Sequence, residues 1–459
     1  MVRRRLVLLQ LVAAAALAAA CASGPSLHTP PAERPPVVFV HGNGDSAALW
    51  ITTLWRFESN GWPRERLHAI DLPFPLARDD DTVPQAGRTS AAEHAAFLAA
   101  EVDKVLARTG AKQVALVGNS RGGIAIRNYI EGGGAAKVSH AVLGGTPNHG
   151  VWHSTAMRPN NEFNGAGPVL ARLNAPKGPN GDEVTPGPRW MTLRSDTNDK
   201  FAQPDGVWIG QRGTPTNVSY DSPALKGALD VVLPGRDHRE VSYHPEAFAK
   251  TWEFITGSAP RTTAVVPEAR VVLDGKVSGL GPAGVSNLPL EGATVEVYAV
   301  DPATGVRRGP AVHRKTVGAD GRWGPFAADG AQPYEFVISA PGYASLHVYR
   351  SPFPRSSDVV HFRAERMAEA DRTAASVVTF SRPRGYFGVP RDRIVFDGQS
   401  PPPGVPPGVA GVAQSKLRLA GETGRAVAAE FESGPIRERI VGRAWPAAEN
   451  RLVLLEMHH

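Results

Sequence analysis

Residues 113–123 read Gln-Val-Ala-Leu-Val-Gly-Asn-Ser-Arg-Gly-Gly, so a serine able to act as a nucleophile stands at the end of an apolar run. Gly118 and Gly122 flank Ser120 two residues away on either side. That spacing suits a tight turn from strand to helix, which holds the serine hydroxyl at the edge of a sheet. A serine hydroxyl is a weak nucleophile until an imidazole takes its proton, and the imidazole needs a carboxylate to fix its tautomer. With a serine on such a turn, the acid and then the histidine follow in chain order. His140, His149, His153, His238 and His244 lie between Ser120 and residue 257. His238 is the expected base, because it sits just past the apolar run Val231-Val232-Leu233 and follows every candidate acid. His244 precedes Pro245 and is expected to cap a helix. Asp199 is the expected acid, with Asp196 and Asp221 as alternatives, and Glu162 is the sole carboxylate between Gly144 and Asp182.

The elements that must position these residues alternate between strand and helix. Val37–Val40 reads as a first buried strand, a helix through Ala47 to Trp55 follows, and Leu67–Asp71 reads as a second strand. Ser90 and Glu93 form a capping box for a helix over 90–109, which Gly110 ends. Beyond the turn, a helix is expected from Arg121 to about Ile130, and strands at Val138–Leu143, Trp190–Leu193 and Val231–Leu233. A helix from Pro245 to Ile255 closes the unit, with Phe248, Trp252 and Ile255 on its inner face. Residues 151–188 show no strong strand pattern and read as a cap. The acidic run Asp79-Asp80-Asp81 lacks the spaced ligands and turn glycine of a calcium loop and reads as solvated.

The loop His41-Gly42-Asn43-Gly44 leaves the first strand where such folds supply one oxyanion amide, the other coming from the residue after the nucleophile. The amides of Asn43 and Arg121 are assigned these roles, and His41, read as structural rather than catalytic, is expected to line the pocket with Asn119 and His149. Residues 37–257 resemble the lipases and esterases of the α/β hydrolase family. The resemblance rests on His41-Gly42-Asn43-Gly44, Gly118-x-Ser120-x-Gly122, Thr146-Pro147-Asn148-His149-Gly150 and Asp237-His238. From Asp237 through Gly257 to Pro267 the chain is also similar to an archaeal lipase that carries a carboxy-terminal lipid-binding β region. The resemblance implies a compact α/β fold with about six mostly parallel strands and a serine ester hydrolase without cofactor. Asn119 where histidine is common, and Arg121 where a small residue is common, depart from the family pattern.

At 459 residues, with 41 prolines and 48 glycines, the chain is expected to form two or three turn-rich domains. Arg3, Arg4 and Arg5 precede the apolar stretch Leu6–Ala20, too short to span a bilayer comfortably, and then comes Cys21. Residues 1–20 therefore read as a signal peptide, and Leu17-Ala18-Ala19-Ala20-Cys21 resembles a bacterial lipobox with Cys21 as the lipidation site. The expected location is a bacterial membrane, on the periplasmic side or the cell surface, with the anchor and a proline-rich linker over 21–36. Cys21 is the sole cysteine, so no internal disulfide can form. The formal net charge of +6 falls to +3 without the three leader arginines, which does not suggest a nucleic-acid partner.

From residue 264 the pattern changes to short alternating strands with turn residues, expected to form a β-sandwich over 264–367 and a second β unit over 376–459. The stretch Pro289 to Tyr343 resembles transthyretin-like modules. Tyr343, Tyr349, Phe353, Tyr386 and Phe387 stand at or beside turns and are expected to be exposed, where they would suit an apolar surface. His313, His347, His361, His458 and His459 lack clustered ligand spacing, so no metal site is expected. Function therefore reads as ester hydrolysis with an ester or lipid substrate. The alternatives are an extracellular polyester depolymerase and a non-catalytic surface-binding lipoprotein.

Overall fold

The structure, a computed structural model, describes residues 34–421 and 423–459. The signal peptide, Cys21 and all but the end of the linker lie outside the described residues.

Six parallel strands form the first sheet: β1 (Val37–Val40), β2 (Leu67–Ile70), β3 (Val114–Asn119), β4 (Val138–Gly144), β5 (Arg189–Arg194) and β6 (Leu229–Val232), in the order β2-β1-β3-β4-β5-β6. Between them run α1 (Ile51–Ser59), α2 (Ala91–Thr109), α3 (Arg121–Tyr129) and α4 (Pro168–Leu173), and after β6 come α5 (Glu240–Tyr243) and α6 (Pro245–Thr256). Side chains alternate across a strand, and both faces of this sheet are covered. Val38 and Val40 pack with Leu98 and Val102 of α2 and Ile126 of α3. Val37 and Phe39 pack on the other face with Leu54 and Phe57 of α1 and Phe248 and Trp252 of α6. The capping box at α2 is formed as expected, and Gly110 takes the left-handed conformation that ends the helix.

The remainder is β structure. A mixed sheet of seven strands contains β10 (Thr294–Ala299), β11 (His313–Thr316), β13 (Tyr334–Ser339), β14 (Ser345–Arg350), β16 (Ser376–Ser381), β18 (Gln414–Leu419) and β21 (Arg451–Glu456), in the order β11-β10-β13-β14-β21-β16-β18. Smaller sheets pair β7 (Val271–Leu273) with β12 (Phe326–Ala328), and β8 (Val277–Gly281) with β9 (Gly284–Pro289) and β15 (Phe362–Arg363). A last one joins β17 (Arg393–Phe396), β19 (Ala426–Ser433) and β20 (Ile436–Arg443). The two β units read from the sequence share the large sheet. Strand β21, from the end of the chain, lies parallel to β14 on one side and β16 on the other.

The aromatic side chains expected at the surface are mostly core. Tyr349, Phe353, Tyr386 and Phe387 are buried, and Tyr343 is half-buried with its hydroxyl accepting the Leu280 amide at 3.0 Å. Each has a partner contributed by a distant part of the chain. Phe353 packs on Trp55 and His458, Phe387 on Phe380 and Phe431, and the ring of Tyr386 lies under Lys200 and Arg239.

Candidate active site

Ser120 joins β3 to α3 with φ 53° and ψ −121°, a conformation that costs a non-glycine residue of order 1–3 kcal/mol. The flanking glycines explain how it is held. A Cβ on Gly122 would lie 2.4 Å from the Val40 carbonyl oxygen, and one on Gly118 would lie 2.9 Å from the Gly122 backbone. The elbow can form only if β1, β3 and α3 pass within backbone contact of each other. The Ser120 amide donates to Gly144 O at 2.9 Å, which ties the turn to the end of β4.

His238 follows β6 and Asp199 follows β5, and the two meet. Nδ1 of His238 lies 2.9 Å from both carboxylate oxygens of Asp199, with the histidine 3% and the aspartate 2% exposed. Asp199 Oδ1 also accepts the Phe201 amide at 2.8 Å. The Phe201 ring packs edge-on against His238, 4.7 Å between centroids, and lines the same cavity as Ser120. The alternative acids are engaged elsewhere. Asp196 accepts the amides of Thr197 and Gly235 and so braces the loop, while Asp221 is exposed and accepts from Ser219. His244 caps α6, its Nδ1 accepting the Glu246 amide, and burial pushes its imidazole down to about 3.

The cavity at Ser120 has a volume of about 330 Å³. Pro147, Val151, Trp152, Phe163, Phe201, Trp208 and Ile209 supply its apolar wall, and Asn43, Arg78, Asp79, Arg88, Arg158 and Asn161 its polar rim. The segment 151–188 thus contributes Val151, Trp152, Arg158, Asn161 and Phe163 to the cavity that Ser120 lines. A larger cavity of about 580 Å³ lies where the parallel sheet's loops meet the β region, but Ser120, His238 and Asp199 do not line it.

Residues 35–175 match the family described as alpha/beta hydrolase fold, and residues 269–367 match the one described as lipase C-terminal domain. The first match agrees with the parallel sheet and its flanking helices, so this part of the chain has the α/β hydrolase fold. Among solved structures, it is similar to a Bacillus licheniformis lipase in mature form, at 20% identity and TM-score 0.36, over 50% of this chain and 96% of that one. The propeptide form of that lipase aligns over 91% of this chain and 95% of its own, at 16% identity and TM-score 0.35. A monoacylglycerol lipase of Paleococcus ferrophilus aligns over 49% and 96%, at 12% identity and TM-score 0.33.

Three residues expected in this hydrolase's pocket are elsewhere. His41 is buried at the end of β1: its Nε2 accepts the Leu72 amide at 3.1 Å and its Nδ1 donates to Gly42 O at 2.8 Å. Both nitrogens are used by the backbone, and burial lowers its pKa, so the ring is a neutral cross-link between the ends of β1 and β2. Asn119 points sideways from the elbow, its Nδ2 lying 2.9 Å from Ser242 Oγ and 3.3 Å from both His238 O and Gly144 O. An asparagine there ties the turn at Ser120 to the main chain of His238. His149 bonds Ser222 O and Glu183 and so stitches the cap to the 219–226 loop, because the chain turns away after Pro147, which does reach the cavity.

Other functional residues carry no periodic signal. Arg121, 1% exposed, points away from the serine and pairs with Glu162, also 1% exposed: Nε to Oε1 at 2.5 Å and Nη2 to Oε2 at 3.0 Å. Its remaining donors go to Pro75 O and Thr89 O. The charged residue after Ser120 thereby staples the segment around Glu162 to the 72–90 loop. Its signal in the sequence was the conjunction of an arginine at a usually small position with a lone carboxylate in the following loop. Among the described residues, no group of three or more His, Cys, Asp or Glu is placed to hold a metal ion, and no helix is long and apolar enough to cross a membrane.

Proposed function

We propose that this α/β hydrolase is a serine carboxylic-ester hydrolase acting through an acyl-enzyme on Ser120. The observation that carries the reading is the buried His238–Asp199 pair, tied through the Asn119 side chain to the turn that holds Ser120 at positive φ. With Nδ1–H donated to the carboxylate, the lone pair of the imidazole resides on Nε2, the nitrogen available to take the Ser120 proton. The freed oxygen attacks the ester carbonyl. The negative charge that develops on the carbonyl oxygen is bound by the amides of Asn43, which lines the cavity, and of Arg121, which opens α3. Collapse expels the alcohol, protonated by His238, and the same imidazole then activates water to release the acid.

The cavity is at the small end of the range for ligand pockets, and its wall carries two tryptophans and two phenylalanines. This favours short acyl chains. Cys21 is proposed to anchor the enzyme to a membrane. The test is labelling by a fluorophosphonate together with a chain-length series of nitrophenyl esters. Wild-type protein should be labelled once, with the adduct on Ser120, and Ser120→Ala should lose both labelling and turnover, by about a millionfold. Unlabelled wild-type protein, or Ser120→Ala retaining a few per cent of activity, would sink the assignment.

A further inference from the structure

The loop that follows β5 runs from residue 195 to 228 with no α-helix, yet it must hold Asp199 to within a fraction of an ångström. Long loops without secondary structure are held by what packs on them. Gln203 bonds Asp199 O from within the loop, and on both sides of Asp199 further support comes from the β region. Asn198, the neighbour of Asp199, accepts the Ala410 amide at 2.9 Å and donates to Gly235 O at 3.0 Å, so it bridges the acid loop, the base loop and residue 410. Lys200, on the other side of Asp199, donates to Gly411 O at 2.9 Å and lies over the Tyr386 ring.

The base loop is held in the same way. Arg391 donates to Gly235 O at 2.8 Å and to Glu240 Oε2 at 2.7 Å, and Arg382 donates to Glu240 Oε1 at 2.6 Å. The Tyr386 amide donates to Asp237, the residue before His238, at 2.8 Å. The oxyanion loop makes the third contact: Asn287 donates to Asp45 O at 2.9 Å, and Arg384 to Ala48 O and Leu49 O. The nucleophile turn differs, since the Ser120 amide and the Asn119 side chain bond within the hydrolase unit.

We propose that the β region is a built part of the active site, a clasp in which Asn198 and Lys200 on the acid side and Arg391 on the base side are positioning residues that align Asp199 and His238. The proposal rests on the serine-hydrolase reading above and adds to it that the carboxy-terminal half acts on turnover of every ester, short and soluble ones included. None of the three touches the reacting atoms. Their effect is exerted through the geometry of the acid–base pair, so loosening them should depress kcat and leave KM nearly alone.

The test uses the full chain and a short, soluble nitrophenyl ester. Asn198→Ala and Arg391→Met should each lower kcat by about 100-fold, the effect of an ångström's misplacement, with KM within about threefold of wild type. Arg391→Lys should recover part of the loss. The decisive measurement is a double-mutant cycle. If Asn198 acts through Asp199, Asn198→Ala should cost at most about twofold when added to Asp199→Asn, whereas independent structural damage would multiply. Should Arg391→Met fail to fold, the Asn198 cycle stands by itself, because Asn198 is a half-buried loop residue. Wild-type kcat in Asn198→Ala, or a fully multiplicative loss in the double variant, overturns the clasp. Fluorophosphonate labelling separates the two levels: wild-type protein that is labelled while Asn198→Ala is labelled equally fast sinks the clasp alone, and unlabelled wild-type protein sinks the serine reading with it.

Discussion

Replacing Asp199 by asparagine changes one heavy atom, a carboxylate oxygen for an NH₂ group, and tests the chemistry at its most specific point. The Phe201 amide donates to Oδ1 of Asp199. In Asp199→Asn that N–H should continue to select the amide oxygen, which turns the new NH₂ toward His238 Nδ1. An NH₂ 2.9 Å from Nδ1 repels a proton there and pairs with a lone pair, which favours the tautomer with its proton on Nε2, and that imidazole can no longer accept from Ser120. Loss of the correct tautomer costs a serine–histidine system about 10⁴ in kcat, or about 5.5 kcal/mol of transition-state stabilisation. Asp196→Asn should lose only a few-fold, because one of its oxygens braces the amides of Thr197 and Gly235 and an amide oxygen can do the same. Asp221→Asn should be indistinguishable from wild type. The assay is steady-state hydrolysis of nitrophenyl butyrate by the three variants, with circular dichroism to establish equal folding. If Asp199→Asn keeps more than about 1% of kcat/KM, or Asp196→Asn falls as far, the acid is misassigned and the tautomer argument fails.

Glu162→Gln leaves the buried Arg121 guanidinium without a counter-charge and should destabilise the fold by about 3 kcal/mol in urea, while Arg121→Met combined with Glu162→Leu should recover most of that; equal stability of wild type and Glu162→Gln would show that the pair contributes nothing. Burial raises the Asp71 carboxyl, but His361 and Lys276 from the β region outweigh it and hold the native group well below the usual aspartate range. Its stabilising effect is therefore complete above about pH 4 and lost as the pH falls through the depressed native value. Asp71→Asn should lower stability by about 2 kcal/mol at pH 7, with the gap to wild type closing below pH 4, and a gap that persists unchanged at pH 2 would contradict the linkage. Cys21→Ser should shift the protein from the membrane to the soluble fraction, since a multiply acylated terminus anchors firmly; unchanged membrane association would rule the anchor out.

What could be read from the sequence is what local chemistry encodes. The Ser90–Glu93 box, the elbow glycines and the apolar runs of β1 and β3 each need only neighbouring residues to make sense. Which of Asp196, Asp199 and Asp221 faces His238 does not, because they lie on or beyond a loop with no periodicity, placed by partners more than 200 residues away such as Ala410. His41 and Asn119 were misplaced for a related reason. Their polar atoms satisfy backbone groups of other loops, and the residue type alone does not say whether a histidine or asparagine faces a ligand or a neighbouring carbonyl. The turn-flanking aromatics failed as surface candidates because a turn is exposed only when nothing docks on it. Here the parallel sheet and its loops dock on several of them.

That docking bears on what the added β residues are for. A separable lipid-binding module would have its own closed core and a small polar junction with the enzyme. In this chain Phe39, Trp55, Phe57 and Trp252 of the first unit and Leu273, Trp323, Phe336 and Phe353 of the second belong to one continuous buried cluster. Trp55 alone packs on Phe353 and His458 and donates its indole N–H to Ser356 O at 2.9 Å. Cutting the chain near Gly257 would open that cluster to water at about 25 cal/mol per Å² of apolar surface and would also take from buried Arg56 the Thr263 carbonyl to which its Nε donates. The family matches at 35–175 and 269–367 thus mark units of sequence, while the unit of packing includes both. With these aromatic side chains committed to the junction, and the loops that carry Asp45, Asn198 and Asp237 bonded across it, the contacts favour a β region that supports the parallel-sheet unit over one that works apart from it.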